Sequence, residues 1–301
     1  MRAEFAQAMI ALADESPSSL FLTGDLGYMA LEGVRDKFGS RFINAGVAEQ
    51  NMTSVAAGLA YEGFIPWLYS IAPFAILRPY EQIRNDICLH NLPVKIVGNG
   101  GGYGYGIMGA THHTLEDIGV MRCLSNMKVY VPFTGSDIDL AVRAMASDIS
   151  PNYLRLNLAP KGTPPVPPFA QWRRITQGNG LVVIGTGPVL WNVLSADEAL
   201  RESLEVWNLS ILPFYDIPDE LAESIARTGS VLTIEEHYGQ CGINEAVAAV
   251  LMRRGMSSVR FRSAFARGYP TGRYGSQVWH QEQSGLAGPT LASLVREMLH
   301  A

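Results

Sequence analysis

One carboxylate dominates the groups in this chain that could do chemistry. Glu49 lies within Asn44-Ala-Gly-Val-Ala-Glu-Gln-Asn-Met-Thr-Ser-Val-Ala-Ala-Gly58, just after the short apolar stretch Arg41-Phe-Ile-Asn44, and Gly46 supplies the turn between them. Ala48, Met52, Val55, Ala56 and Leu59 recur at helical spacing, which predicts a helix entering a core with Glu49 in its first turn. An acid there can simply favour the positive end of the helix dipole, an effect of a few tenths to about 1 kcal/mol. It can also face a ligand, because open α/β sheets bind ligands at strand-to-helix junctions.

The other reactive groups allow the same two kinds of reading. His112 and His113 precede a helix that Thr114 and Asp117 start in the manner of a capping box. Adjacent imidazoles do not readily point at one ion and no nearby cluster completes a metal set, which leaves an acid, a base, a hydrogen-bond donor or plain turn residues. Arg155 interrupts the apolar strand Tyr153-Leu-Arg-Leu156, where burial requires an anion such as a carboxylate or phosphate; the alternative is a surface position at the strand end. Gly104, Gly106 and Gly109 satisfy G-x-G-x-x-G, but the preceding strand, Pro93-Val-Lys-Ile-Val97, ends too early and the acid expected about 20 residues on is missing. So many glycines between Gly98 and Gly109 suggest backbone wrapped around a ligand or a partner chain. Cys88, Cys123 and Cys241 are dispersed and each reads as a buried small hydrophobe.

The elements that must position these groups follow from periodicity. An amphipathic N-terminal helix precedes the strand Leu20-Phe-Leu-Thr23 and the turn Gly24-Asp-Leu-Gly27. Pro79 suits the first position of a helix carrying Tyr80, Ile83 and Ile87 inward, with Phe74 to Arg78 as the loop before it. Strands at 129–131 and 153–156 flank a helix over about 136–146. The Pro-rich segment Ala159-Pro-Lys-Gly-Thr-Pro-Pro-Val-Pro-Pro168 reads as a linker. Beyond it, strands at 181–186, 206–212, 231–236 and 259–261 alternate with helical stretches in a βαβ pattern. The expected fold is α/β, two consecutive α/β domains with mostly parallel sheets over residues 1–158 and 171–301, joined by a linker at 159–170.

Composition agrees with two globular domains. The chain has 301 residues, of which 48% are hydrophobic and 17% charged, and a net charge of −5, so it carries no basic footprint for nucleic acid or an anionic membrane. The absence of a long apolar run and of a disulfide framework suggests a reducing cytoplasm.

The phrase around Glu49 resembles the helix of transketolases and their relatives that carries the glutamate contacting the aminopyrimidine of thiamine diphosphate. The resemblance continues through Tyr69-Ser-Ile-Ala-Pro-Phe74, Arg78-Pro-Tyr-Glu-Gln82, Gly109-Ala-Thr-His-His113 and Asn126-Met-Lys-Val-Tyr-Val-Pro132, and runs in order to the C-terminus. It covers the pyrimidine-binding and C-terminal domains of a three-domain transketolase, over essentially the full chain. The resemblance therefore implies a split enzyme with thiamine diphosphate and Mg2+ as cofactors. The metal and pyrophosphate would be held mainly by a separate N-terminal, pyrophosphate-binding transketolase-like subunit, with two copies of each chain in a heterotetramer.

The same resemblance assigns roles. Glu49 shares a proton with the pyrimidine ring, and the cofactor then serves as the electron sink for carbonyl chemistry. Phe74 stacks on that ring, with Tyr69 or Tyr80 as alternatives. His112 matches a substrate-contacting His, with Ala110 in place of a Pro as in deoxyxylulose phosphate synthases, and His113 stands beside it on the substrate side. Arg2 and Arg155 match two arginines that hold a sugar phosphate. Gly24-Asp25 and Asn51 have almost the spacing of a thiamine metal motif, but Leu26 replaces its second glycine, so Asp25 reads as a structural or substrate-side residue. Met108 stands where transketolases carry an Asp that recognises a substrate hydroxyl, and Gly98-Asn99 where they carry a His, which suggests a modified or less hydroxylated substrate. Glu235-Glu-His237 resembles a motif of the C-terminal domain remote from the chemistry. The implied activity is two-carbon ketol transfer between sugar or sugar phosphate substrates. The alternatives are a decarboxylating relative, similar to deoxyxylulose phosphate synthase or to the beta subunit of a 2-oxo acid dehydrogenase, and a non-catalytic partner subunit.

Overall fold

The structure is a computed structural model and describes residues 1–27, 29–196 and 198–300. Its strands are β1 (Ser19–Thr23), β2 (Phe42–Asn44), β3 (Ile65–Ile71), β4 (Lys95–Asn99), β5 (Lys128–Tyr130), β6 (Asn152–Leu156), β7 (Trp172–Thr176), β8 (Leu181–Thr186), β9 (Leu204–Leu209), β10 (Ile211–Leu212), β11 (Ser230–Tyr238) and β12 (Arg260–Ala266). They form two sheets, ordered β10-β5-β6-β4-β3-β1-β2 and β12-β11-β8-β9-β7. All pairings are parallel except β10 on β5 and β7 on β9. Two α/β domains with mostly parallel sheets are thus what the chain folds into.

Alternation along the strands covers the first sheet on both faces, as a parallel sheet requires. Phe21, Trp67 and Tyr69 pack with Phe5, Met9 and Leu12 of the helix Arg2–Glu15, whereas Leu22, Leu68 and Ile96 pack on the other face with Met52, Ala56 and Ile83. The helix Glu49–Tyr61 is rotated from the expected face. It buries Glu49, Met52, Thr53, Ala56, Ala57 and Ala60, and leaves Val55 42% exposed. The small side chains face inward, and that rotation turns the Glu49 carboxylate away from water.

Three further expectations need correction. Residues 206–212 are not one strand, because Ser210 changes sheets: its N–H donates to the Gln171 carbonyl and its own carbonyl accepts from Val131 N. The tail β10 therefore joins the edge of the other half's sheet. Strands β3 and β7 were not foreseen, and β3 carries Pro66 near its start, where a proline argues against a central strand. Phe74 lies in the short helix Ala72–Ile76 rather than in a loop.

Buried charges tie the halves together. Arg173 on β7 donates from Nη1 and Nη2 to Asp137 Oδ1 and Oδ2, both at 2.7 Å, and both residues are almost wholly buried. Asp137 also accepts from the Phe133 and Thr134 amides. Asp137→Ala strands a buried guanidinium and two N–H groups, so an expected loss of about 3–5 kcal/mol should appear in urea unfolding. Arg173→Met leaves Asp137 its two amide donors and should cost measurably less; the reverse order would refute this account of the pair.

Candidate functional site

The first sheet has its topological switch beside β1, whose neighbours are β2 on one side and β3 on the other. Register places Thr23 of β1 opposite Asn44 of β2 and Tyr69 of β3, so their carboxyl ends open on one crevice, where α/β sheets bind ligands. Glu49 enters that crevice from the loop after β2. A Cβ added to Gly24, just past β1, would lie 3.6 Å from both Glu49 Oε1 and Ser70 Oγ. The ends of β1 and β3 therefore converge on the carboxylate.

Glu49 is 3% exposed, yet it borders an open cleft of about 480 Å³ lined by Val47, Ala48, Gln50, Asn51 and Arg78. Both its oxygens accept from Arg78 Nη1, at 3.2 and 3.1 Å. The Arg78 guanidinium carbon stands 4.0 Å from the Phe74 ring centroid. The His112 ring meets Phe74 edge to face, with centroids 5.3 Å apart, and the Tyr105 ring lies 5.8 Å from His112. The Tyr105 hydroxyl accepts from Asn99 Nδ2 at 2.8 Å; burial raises its pKa, and the positive charge of exposed Arg2 opposes that shift. Glu49, Phe74 and His112 thus lie in one chain of contacts through Arg78, with Arg2 beyond them near Tyr105. Arg78 and Tyr105 were not singled out, although Arg78 follows Phe74 by four residues, the spacing that brings helical side chains together. A larger cavity of about 960 Å³ runs along β5 and β10, but no Asp, Glu or His lines it.

Several expected contacts lie elsewhere. His113 is 3% exposed; its Nε2 donates to the Gly106 carbonyl at 2.8 Å, and its Nδ1 accepts from the Tyr269 hydroxyl at 2.9 Å. With both nitrogens occupied between the two halves, it is not on the substrate side. Arg155, 1% exposed, donates to Asp117 Oδ2 and to the Glu236 carbonyl, both at 2.7 Å, so the anion it required is internal. Tyr69 is 1% exposed and stacks on Phe5, which removes it as a partner for a cofactor ring. The Tyr80 hydroxyl donates to the Val120 carbonyl at 2.8 Å and faces Cys123. Asp25 has φ 55°, accepts from Asn44 Nδ2 at 2.9 Å and lines a separate cavity of about 220 Å³. Met108 projects outward, 54% exposed.

The glycine-rich segment wraps the second half of its own chain. A Cβ on Gly101 would come 2.6 Å from Arg155, and one on Gly102 would come 2.3 Å from Glu236 Oε1. Thr114 pairs with Gly102 in a two-way bridge instead of starting a helix, which begins at Asp117. Glu235 accepts from the Ile243 and Asn244 amides, and His237 Nε2 from the Gly119 amide, so the Glu-Glu-His motif is structural, as expected. Cys88 is buried, but Cys123 and Cys241 are exposed.

A family model described as transketolase, pyrimidine binding domain, matches residues 1–159, the half that holds this crevice. The chain belongs to the transketolase family. The transketolase C-terminal domain model matches residues 170–285. A Methanocaldococcus jannaschii protein named as a transketolase C-terminal section is 30% identical over 309 residues, covering 99% of this chain and 95% of that one. An apulose-4-phosphate transketolase subunit from Actinobacillus succinogenes is 29% identical over 242 residues, 77% of this chain and 76% of its own. A solved split-gene transketolase, described as an inactive beta4 tetramer, superposes with TM-score 0.83 at 29% identity, over 99% of this chain and 97% of that one.

Transketolase membership implies use of thiamine diphosphate, and the residues present fit its aminopyrimidine end. Phe74 offers an aromatic face and Glu49 a carboxylate, Gly24 leaves room beside that carboxylate, and the buried Ser70 hydroxyl has no partner among the described residues. They do not fit its metal end. Among the described residues no group of three His, Cys, Asp or Glu could hold a metal ion. Nor is any helix among them long and apolar enough to cross a membrane.

The His113 environment has a pH signature. Burial lowers its pKa from 6.5 to about 4, so between those values the unfolded chain binds a proton that the native chain does not. Stability from this residue is therefore complete above pH 6.5 and falls as pH drops toward 4, by up to about 3 kcal/mol. His113→Gln should flatten the slope of melting temperature against pH in that window; an unchanged slope would show that His113 is already charged.

Proposed function

We propose that this chain is the pyrimidine-side subunit of a thiamine diphosphate-dependent, transketolase-like enzyme that moves a two-carbon ketol unit between sugar phosphates. A separate subunit of the same family supplies the pyrophosphate and metal site, in an assembly with two copies of each chain. The observation that carries this reading is the Glu49 carboxylate, buried on one side, open to a cleft on the other, with an aromatic face and an imidazole in line beyond it. The names of the relatives, two of which denote a subunit or a section, support the division into chains.

When bound, the cofactor supplies a nucleophilic carbon and a sink for the electrons of the broken carbon–carbon bond. Glu49 binds the pyrimidine edge and holds the shared proton there, and burial strengthens that interaction. Phe74 orients the ring by stacking. His112, partly buried, hydrogen-bonded through Nδ1 with Thr111 Oγ1 at 2.9 Å and packed against Phe74, holds a proton beside the substrate oxygen. Arg2 supplies positive charge for a phosphate at the outer end. Pyruvate decarboxylation is the second reading, favoured by Ala110 two residues before His112.

Calorimetry with thiamine diphosphate and Mg2+ tests the proposal directly. Tight binding is expected only when this chain is mixed with its pyrophosphate-binding subunit; tight binding by this chain alone would overturn the split site. In the active mixture Glu49→Gln should lower turnover by at least about 100-fold, whereas unchanged turnover would make this chain a non-catalytic partner. Release of carbon dioxide from pyruvate would favour the decarboxylating reading.

A further inference from the structure

The Arg78 guanidinium covers two surfaces at once. It donates to both oxygens of Glu49, and its carbon stands 4.0 Å over the ring of Phe74. Those are the two groups of this chain best suited to an aminopyrimidine, which presents the same features: a flat π-system and in-plane N–H donors for a carboxylate. Two planar groups cannot occupy the same face of Phe74 at stacking distance. We propose that Arg78 is a positioning residue that holds the Glu49 carboxylate in the unloaded subunit and is displaced from Glu49 and Phe74 by the pyrimidine ring. The inference rests on the cofactor reading above.

Energetics and sterics agree. A carboxylate that is 3% exposed needs a partner in either state, and Arg78 is the only charged side chain that meets Glu49 among the described residues. Its own side chain is 47% exposed on the open cleft, and its guanidinium donates to no other group among those residues. Among the described residues only Glu49 and the Phe74 ring hold its head group, and Pro79 directly after it stiffens the backbone from which it swings. Arg78 therefore keeps the carboxylate aimed into the cleft while it is empty, and can leave without stranding a buried group once the ring has taken over.

The sign of one effect tests this. In the mixture with the pyrophosphate-binding subunit, Arg78→Ala should tighten thiamine diphosphate binding about two- to fivefold by calorimetry, because a competing half-exposed ion pair is gone. Unchanged or weaker binding would overturn the proposal, since Arg78 would then stay beside Glu49 or touch the cofactor. Arg78→Gln, which keeps length without charge, serves if the alanine variant fails to assemble, with the same expectation. A second readout needs no cofactor. On this chain alone, Arg78→Ala should lower the melting temperature beside Glu49 but not in a Glu49→Gln background, and additive shifts would show that the pair is not formed. If wild-type mixtures bind no thiamine diphosphate while the melting shifts are non-additive, the pair is real and the cofactor reading fails, taking the displacement with it.

Discussion

The arrangement depends on two buried charges that must be satisfied where the halves of the chain meet. Arg155 on β6 and Glu236 on β11 lie almost wholly out of water, and each is reachable only if backbone comes unusually close. Arg155 packs against Gly101 and donates to Asp117 and to the Glu236 carbonyl; the Glu236 carboxylate accepts from the Tyr103 amide, Gln277 and Gln281. Burial raises the pKa of Glu236, and these donors oppose it. Gly102 sits at φ +67° with no room for a Cβ, so glycine is required there for both conformation and clearance. The crossover from β4 is thereby fixed, and with it Tyr105 and His112. The C-terminal half thus fixes the loop that carries Tyr105 and His112 without itself lining the cleft at Glu49.

The parts of the fold that were legible are those set by local pattern. Alternation and length marked most strands. The misread parts are those that long-range pairing decides. Ser210 looks like the middle of one strand, but its amide and carbonyl bond to different halves, and no local signal carries that. Arg155 was rightly expected to need an anion; that the anion is Asp117, 38 residues away and inside the same domain, is a fact of tertiary packing. His113 and His112 are neighbours in sequence, yet one is caught between Gly106 and Tyr269 and the other packs edge to face on Phe74. The site residues that could be read from the chain, Glu49, Phe74 and His112, came from phrases. Periodicity alone would have left Glu49 as a helix-start acid.

Glu235 offers a contrast with Glu49. Both acids stand beside the first turn of a helix, of 13 and 11 residues. Glu235 does what a structural acid does there: its two oxygens accept from the Ile243 and Asn244 amides at 2.8 and 3.0 Å, so it satisfies donors that every helix start leaves open. Burial still pushes its carboxyl up to about 7, against the pull of those amides. Glu49 is different: its helix has no side-chain cap, and among the described residues its carboxylate accepts only from Arg78, a cation at the cleft. An acid that stabilises a fold is partnered by the fold. Glu49 is buried on one side and partnered from the cleft on the other, and a helix-dipole contribution of at most about 1 kcal/mol does not offset the cost of burying a carboxylate. Its burial is matched by one half-exposed cation at the cleft and not by the donors of its own helix start.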